Sequence, residues 1–203
     1  RLLDLAAQIG AMYETEAEIF VSEKVPGFAA VTAFPRRLIV VDHTLLSESE
    51  PALRYLLGYA FEAIRGGYAS LLQLGARQRR ELGHLLRSVI SPDGGELAGF
   101  AADLVNNATD EQAHILEQHA GTRDLDPGGW VDGMLAMAKR AGLLAADDFA
   151  AAIWMVARLT GEDLASNDAT VALGAVLGGA DLVRFYLSDD YQHLRDILTA
   201  PVP

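Results

Sequence analysis

The chain has 203 residues, 51% of them apolar, and no cysteine. That length fits one domain with a sizeable core, or one domain with a helical appendage, and it excludes disulfides, cysteine–zinc sites and a cysteine nucleophile. The formal net charge is −12, with −2 in residues 1–100 and −10 in residues 101–203. No basic face for phosphates is visible, so a nucleic-acid partner is disfavoured.

No run of about 18 apolar residues offers a membrane span. The longest candidate, Val171 to Ala180, is short and glycine-rich. No secretory signal is visible. Beginning at Arg1 instead of methionine, the chain reads as a piece with missing flanks, with a cytoplasmic location favoured.

Leu2 to Thr15 has apolar residues at helical spacing, at Leu2, Leu3, Leu5, Ala6, Ile9, Met12 and Tyr13. Glu14, Glu16 and Glu18 follow as a solvated acidic cluster. Glu18 to Ser22, Phe28 to Phe34 and Leu38 to Val41 are rich in β-branched and aromatic residues. They are separated by Val25-Pro26-Gly27 and Pro35-Arg36-Arg37. These features predict a small sheet of about three strands.

Asp42-His43-Thr44 ends the third strand, and Ser47-Glu48-Ser49-Glu50-Pro51 is a helix-start signal. A helix is expected from Ala52 to about Leu74, frayed or kinked at Gly66-Gly67. Another is expected over Arg77 to Ile90, where Arg77, Arg79 and Arg80 form a solvated basic cluster. Ser91 to Gly95 and Asp124 to Gly129 read as loops. Further helices are predicted over Glu96 to Asn106, Asp110 to His119, Trp130 to Leu144, Asp147 to Leu159, Asp163 to Leu187 and Tyr191 to Leu198. No internal repeat or low-complexity segment is present. The fold class is α+β with helices dominant.

Leu56 to Tyr68 reads L-L-G-Y-A-F-E-A-I-R-G-G-Y. Its apolar frame and glycines resemble L-L-G-H-E-x-x-H-I-x-x-G-H, the zinc helix of gluzincin metallopeptidases of the CAAX-prenyl-protease and HtpX kind. The short "minigluzincins" are included in that resemblance. Two more segments fit in order and separation. Val31 to Phe34, Leu38 to Val41 and Leu45-Leu46 look like the lead-in "N-A-F-A … I-V-V … L-L". Trp130 to Leu144 looks like W-x-R-x-x-E-x-x-A-D-R-A-G-L-L, with Trp130, Ala138, Arg140, Ala141, Gly142, Leu143 and Leu144 in register.

The resemblance implies a mostly helical, zincin-like domain over residues 1–160, with helices 161–203 packed on it. It also implies where the chemistry would sit. In H-E-x-x-H, histidines at i and i+4 share one helix face and reach one metal. The intervening glutamate takes a proton from the bound water, and a third ligand comes from the E-x-x-A-D helix. Here those positions hold Tyr59, Ala63, Ala60 and Leu135, and Lys139 replaces the aspartate. Alanine and leucine offer no lone pair, and a neutral phenol is a poor zinc ligand. The resemblance therefore implies a pseudopeptidase: no enzyme, no catalytic residue, no metal and no cofactor.

Such a domain retains a cleft and a strand edge for a peptide or protein segment. Phe28, Ala30, Thr32 and Phe34 would offer the edge, above an apolar floor of Tyr59, Ala60, Ala63 and Leu135. The alternatives are a purely structural domain with the cleft filled, or an enzyme of another class using Glu62, His43, His114 or His193. Glu62, displaced from the base position, reads as a surface or partner-pairing carboxylate. Glu111-x-x-His114 has the spacing of half a di-iron site and lacks a second copy. His114 and His119 do not share a helix face. His43 reads as a satisfied polar group, His84 and His193 have no evident partner, and Asp189 and Asp190 suit a helix start. Asp93-Gly94-Gly95 is a turn, without the context of a phosphate loop.

Overall fold

A computed structural model describes residues 1–25, 29–33, 35–90, 98–110, 114, 126–161 and 178–199. The described architecture is α+β, mostly helical, with a three-stranded sheet. By its internal contacts the chain forms two compact units. One comprises Arg1–Gln73 with Met134–Pro203, and the other Leu74–Gly133.

In the first unit, α1 (Leu2–Met12) buries Leu5, Ala6, Ile9 and Gly10. Then come β1 (Glu18–Ser22), β2 (Ala29–Thr32) and β3 (Leu38–Asp42). The strand order is β1-β3-β2, so β3 is central. β1 pairs with it in parallel, Ile19 opposite Ile39 and Val21 opposite Val41. β2 pairs antiparallel, Val31 opposite Ile39. Val31, Ile39 and Val41 are fully buried, while Phe20 and Val40 on the other face are not. This is the two-residue alternation of a sheet with one covered face.

Asp42 ends β3, and its Oδ1 accepts hydrogen bonds from the Thr44 amide (2.9 Å) and hydroxyl (2.6 Å). A 3-10 turn, His43–Ser47, leads into α2 (Glu50–Arg65). Ser49 caps α2 by accepting from the Ala52 amide, and Pro51 sits in the first turn, where its missing N–H costs nothing.

The expected continuation of α2 to Leu74 is wrong, and the cause is local. Gly67 adopts φ +73, and the amides of Gly67 and Tyr68 turn back to the carbonyls of Ile64 (3.1 Å) and Ala63 (3.0 Å). That pair of bonds is a Schellman motif, which ends a helix at a left-handed glycine. Gly66-Gly67 is thus a stop signal, neither a kink nor a frayed end. A separate 3-10 turn, Ala69–Gln73, follows.

The other unit holds α3 (Ala76–Ile90) and α4 (Ala98–Asn106), which pack together. It also holds the start of α5 (Pro127–Ala146). α5 begins three residues before the expected Trp130, because Pro127 opens the helix and Asp126 accepts the Trp130 amide (2.9 Å). Asp126 also lies 3.8 Å from the Arg87 guanidinium of α3. The expected loop Ser91 to Gly95, most of the expected helix Asp110 to His119 and the first part of Asp163 to Leu187 lie outside the described residues.

α6 (Phe149–Thr160), α7 (Gly179–Tyr186) and α8 (Asp189–Thr199) complete the first unit. Asp148 caps α6 by accepting from the Ala151 amide, and Gly161 (φ +72) ends it. No helix among the described residues is long and apolar enough to cross a membrane.

Candidate functional site

The helix expected to carry the chemistry is the most buried of the described elements. Ala52, Leu53, Tyr55 to Gly58 and Ala60 to Ile64 are all buried. A helix apolar nearly all round belongs inside a core. α1 packs on one side of α2 and α6 on another.

α5 also crosses it at close range. A methyl group on Gly58 would come within 2.5 Å of the Ala145 Cβ and 2.9 Å of the Ala141 carbonyl oxygen. A methyl group on Gly142 would strike Tyr55, at 2.8 Å from its ring and 2.9 Å from its carbonyl oxygen. Each helix therefore supplies a glycine at the crossing, and the backbones meet where any side chain would hold them apart. Both glycines lie in the segments that carry the metallopeptidase resemblance. The sequence reading took them as parts of a frame and missed that they face one another. The paired small residues Gly58 and Ala141-Gly142 were the available signal.

The four degenerate positions lie on the two helices that cross here. Ala60 and Ala63 are wholly buried, and Leu135 is buried on α5. Tyr59 is half-buried, and its ring stacks on that of Tyr55 with centroids 6.2 Å apart and planes 14° apart. Tyr55 is fully enclosed, and its hydroxyl has no hydrogen-bond partner among the described residues. Burial pushes the Tyr55 phenol well above its ordinary value, with the neighbouring Tyr59 adding to the shift. Zinc does not fit this donor set: two alanines and a leucine have no lone pairs to give. Among the described residues, no three His, Asp or Glu side chains come together as a metal site.

Glu62 is not a surface carboxylate; it is 4% exposed. Arg65 clamps it from the next turn, Nε donating to Oε2 at 3.0 Å and Nη2 to Oε1 at 3.1 Å. The Tyr68 hydroxyl donates to Oε1 at 3.5 Å. This is the partner-pairing half of the expectation. The direct bond to Glu62 raises the Arg65 guanidinium further. Tyr13, at the end of α1, donates its hydroxyl to the Ala141 carbonyl (2.7 Å). Burial, and secondarily the Glu62 charge, raise the phenols of both Tyr13 and Tyr68. These bonds tie the end of α2 to the residues that follow it.

The expected peptide edge is only partly within view. Phe28 and Phe34 lie outside the described residues. Ala30 and Thr32 lie on β2, an edge strand, and both are half-buried. The 3-10 turn Ala69–Gln73 packs against β2, and Gln73 Nε2 donates to the Val31 carbonyl. That donor stands where an added strand would seek a carbonyl.

The remaining candidates do not converge. His43 is exposed, with Nδ1 3.6 Å from Asp42. His84, His114 and His193 are exposed. Glu111 and His119 lie outside the described residues. Arg140, one of the matched residues, forms a two-pronged pair with Asp181 of α7 (2.9 and 2.5 Å), and its guanidinium lies over the Phe185 ring, 5.4 Å from the centroid. No protein-family model, curated protein or solved structure matches the chain.

Proposed function

We propose that this chain is a non-catalytic scaffold domain, a pseudopeptidase whose zinc helix has become a packing spine. The observation that carries this reading is the crossing of α2 and α5 at Gly58 and Gly142. Two of the segments that resemble the gluzincins meet there as backbone against backbone. Ala60 and Ala63 on α2 and Leu135 on α5 are buried apolar side chains. Of the residues that match the family, Ala138, Ala141, Gly142 and Leu143 are buried and Trp130 is exposed, and the residues that would do its chemistry are absent. Tyr59 stacked on Tyr55, and Gln73 set against β2, favour a filled cleft over a peptide channel above Tyr59 and Leu135.

The test is a reconstruction. The variant Tyr59→His, Ala60→Glu, Ala63→His, Leu135→Glu restores the three ligands and the base. The expected outcome is a folded chain that takes up one zinc on titration, beside a native chain that is purified without zinc and does not cleave unfolded casein. Stoichiometric zinc or proteolysis in the native chain overturns the non-catalytic reading. A restored variant that keeps the native circular dichroism yet takes up no zinc overturns the peptidase-like alignment.

A further inference from the structure

The two edges of the sheet are finished differently. On β2 the 3-10 turn Ala69–Gln73 packs against the strand, and Gln73 donates to the Val31 carbonyl. On β1 no strand pairs with the outer side among the described residues, and no described helix packs extensively on it. Edge strands in folded proteins are commonly blunted by lysine, proline or bulges. β1, E-I-F-V-S, has none of these; its one charge, Glu18, sits at its end, and its register with β3 is unbroken over all five residues.

The Glu18 amide donates to the Arg37 carbonyl (2.9 Å). In a parallel ladder of this register, that bond turns the N–H and C=O groups of Glu18, Phe20 and Ser22 towards β3. Those of Ile19 and Val21 therefore point outward. The same strand leaves two large apolar side chains in solvent, Phe20 at 49% and Val21 at 46% exposure. Phe20 lies on the open face of the sheet, and Val21 on the other face, beside the wholly buried Val41. A strand added at this edge would cover both.

A second copy of the chain fits this edge. Set antiparallel with Ile19 opposite Val21, it engages both outward residues of each strand, for about four main-chain hydrogen bonds, and overlaps the whole of β1. Any shifted register leaves one of the two without a partner in the strand. The fitting register is symmetric: Phe20 meets Phe20 as a non-hydrogen-bonded pair, the closer kind, and Glu18 meets Ser22. Continued past the strand, it brings Glu16 of each copy towards Lys24 of the other and Glu23 towards Ala17, so no glutamate opposes a glutamate. Arg36, 3.9 Å from Glu18, offsets that carboxylate further. A parallel copy in register would instead set each glutamate against its own counterpart. The antiparallel pair is also closed by a two-fold axis perpendicular to the sheet, which keeps both helix layers on one side.

We propose that two copies of this chain pair β1 against β1, antiparallel about a two-fold axis at Phe20, and so join their sheets edge to edge. Outward groups of Ile19 and Val21 supply the main-chain hydrogen bonds, and the two Phe20 rings cover one another on the open face. So narrow a contact makes a weak, reversible dimer, with a Kd on the order of micromolar. The proposal does not rest on the zinc-helix reading of α2.

Two measurements on the full 203-residue chain test it. The first is sedimentation velocity from about 1 to 200 µM, in about 0.15 M salt, which screens the net charge of −12 on each copy. A monomer–dimer equilibrium is expected. Val21→Pro removes an outward N–H, so pairing with β3 survives while the second copy loses an acceptor's donor and meets the proline ring. It should weaken the dimer about tenfold or more at unchanged circular dichroism. Phe20→Glu, which sets two carboxylates face to face on the axis, should weaken it as well. The second measurement uses the absence of cysteine. In Phe20→Cys the paired Cα atoms would stand about 4.5 Å apart, within disulfide range. In a glutathione buffer this variant should form a covalent dimer about tenfold or more faster than Ser47→Cys, an exposed position off the sheet. Adding Val21→Pro should remove that advantage. A chain that stays monomeric, with equal cross-linking of the two cysteine variants, overturns the proposal and leaves the edge to a foreign strand. A dimer that both Val21→Pro and Phe20→Glu leave intact overturns it too, as does one in which Phe20→Cys does not cross-link.

Discussion

Gly58 of α2 and Gly142 of α5 face each other so closely that a methyl group on Gly58 would lie 3.3 Å from the Gly142 Cα. No flexible side chain stands in the way to yield; the obstacles are Ala145 Cβ and main-chain atoms. Gly58→Ala and Gly142→Ala should each destabilise the chain by about 1–3 kcal/mol through overpacking, despite the higher helix propensity of alanine. Because both push the same two backbones apart, the double variant should lose less than the sum of the singles. Urea unfolding of the four proteins measures this. A stabilised Gly58→Ala would show that the crossing is loose.

The enclosed hydroxyl of Tyr55 makes a prediction of opposite sign. It has no hydrogen-bond partner among the described residues, and a buried unpaired polar group costs about 1–3 kcal/mol. Tyr55→Phe keeps the ring against Gly142 and Tyr59 and removes only that oxygen. The chain should gain about 1 kcal/mol in the same urea assay. A loss of stability would mean the hydroxyl is satisfied in solution.

These two sites mark how far the sequence could be read. The apolar runs with turn residues between them located the sheet, and the Ser49 cap and Pro51 the start of α2, because those signals are local. The end of α2 was misplaced by nine residues' worth of apolar pattern from Gly66 to Leu74, although Gly67 carried the stop. Glycine in a helical pattern is ambiguous until its φ is known. The burial of Glu62 was also hidden. A carboxylate beside an arginine three residues on reads as a surface pair, and only Tyr13 from α1 and Tyr68 beyond the helix end reveal the enclosure. The β1 edge depended on strand order, which no local pattern encodes.

Arg140 tests whether a matched residue is kept for geometry or for charge. Its guanidinium makes two bonds to Asp181 and covers Phe185. Arg140→Lys preserves the charge and loses the fork and the flat stacking surface. With both partners partly exposed, the loss should be about 0.5–1 kcal/mol and should shrink in high salt. Thermal unfolding in low and high salt reads it; a lysine variant equal to the native chain would reduce the pair to simple charge attraction.

Alkaline pH should unfold this chain through its tyrosines. Tyr13, Tyr55, Tyr68 and Tyr191 all have phenols raised above the ordinary 10.0, burial being the first cause in each; for Tyr191 the bond to Asp147 is the second. A raised value means that the folded chain holds the proton after the unfolded chain has released it. The contribution to stability is thus complete below about pH 10, and it is lost as pH rises from there through the folded values. Tyr13→Phe removes one such group together with its 2.7 Å bond to the Ala141 carbonyl. That variant should be less stable near neutrality by about 1 kcal/mol. Its stability should also fall less steeply than the native chain's above about pH 10. Urea midpoints measured from neutral to strongly alkaline pH give both quantities. Parallel curves for the two proteins would show that Tyr13 ionises as freely in the folded chain as in the unfolded one.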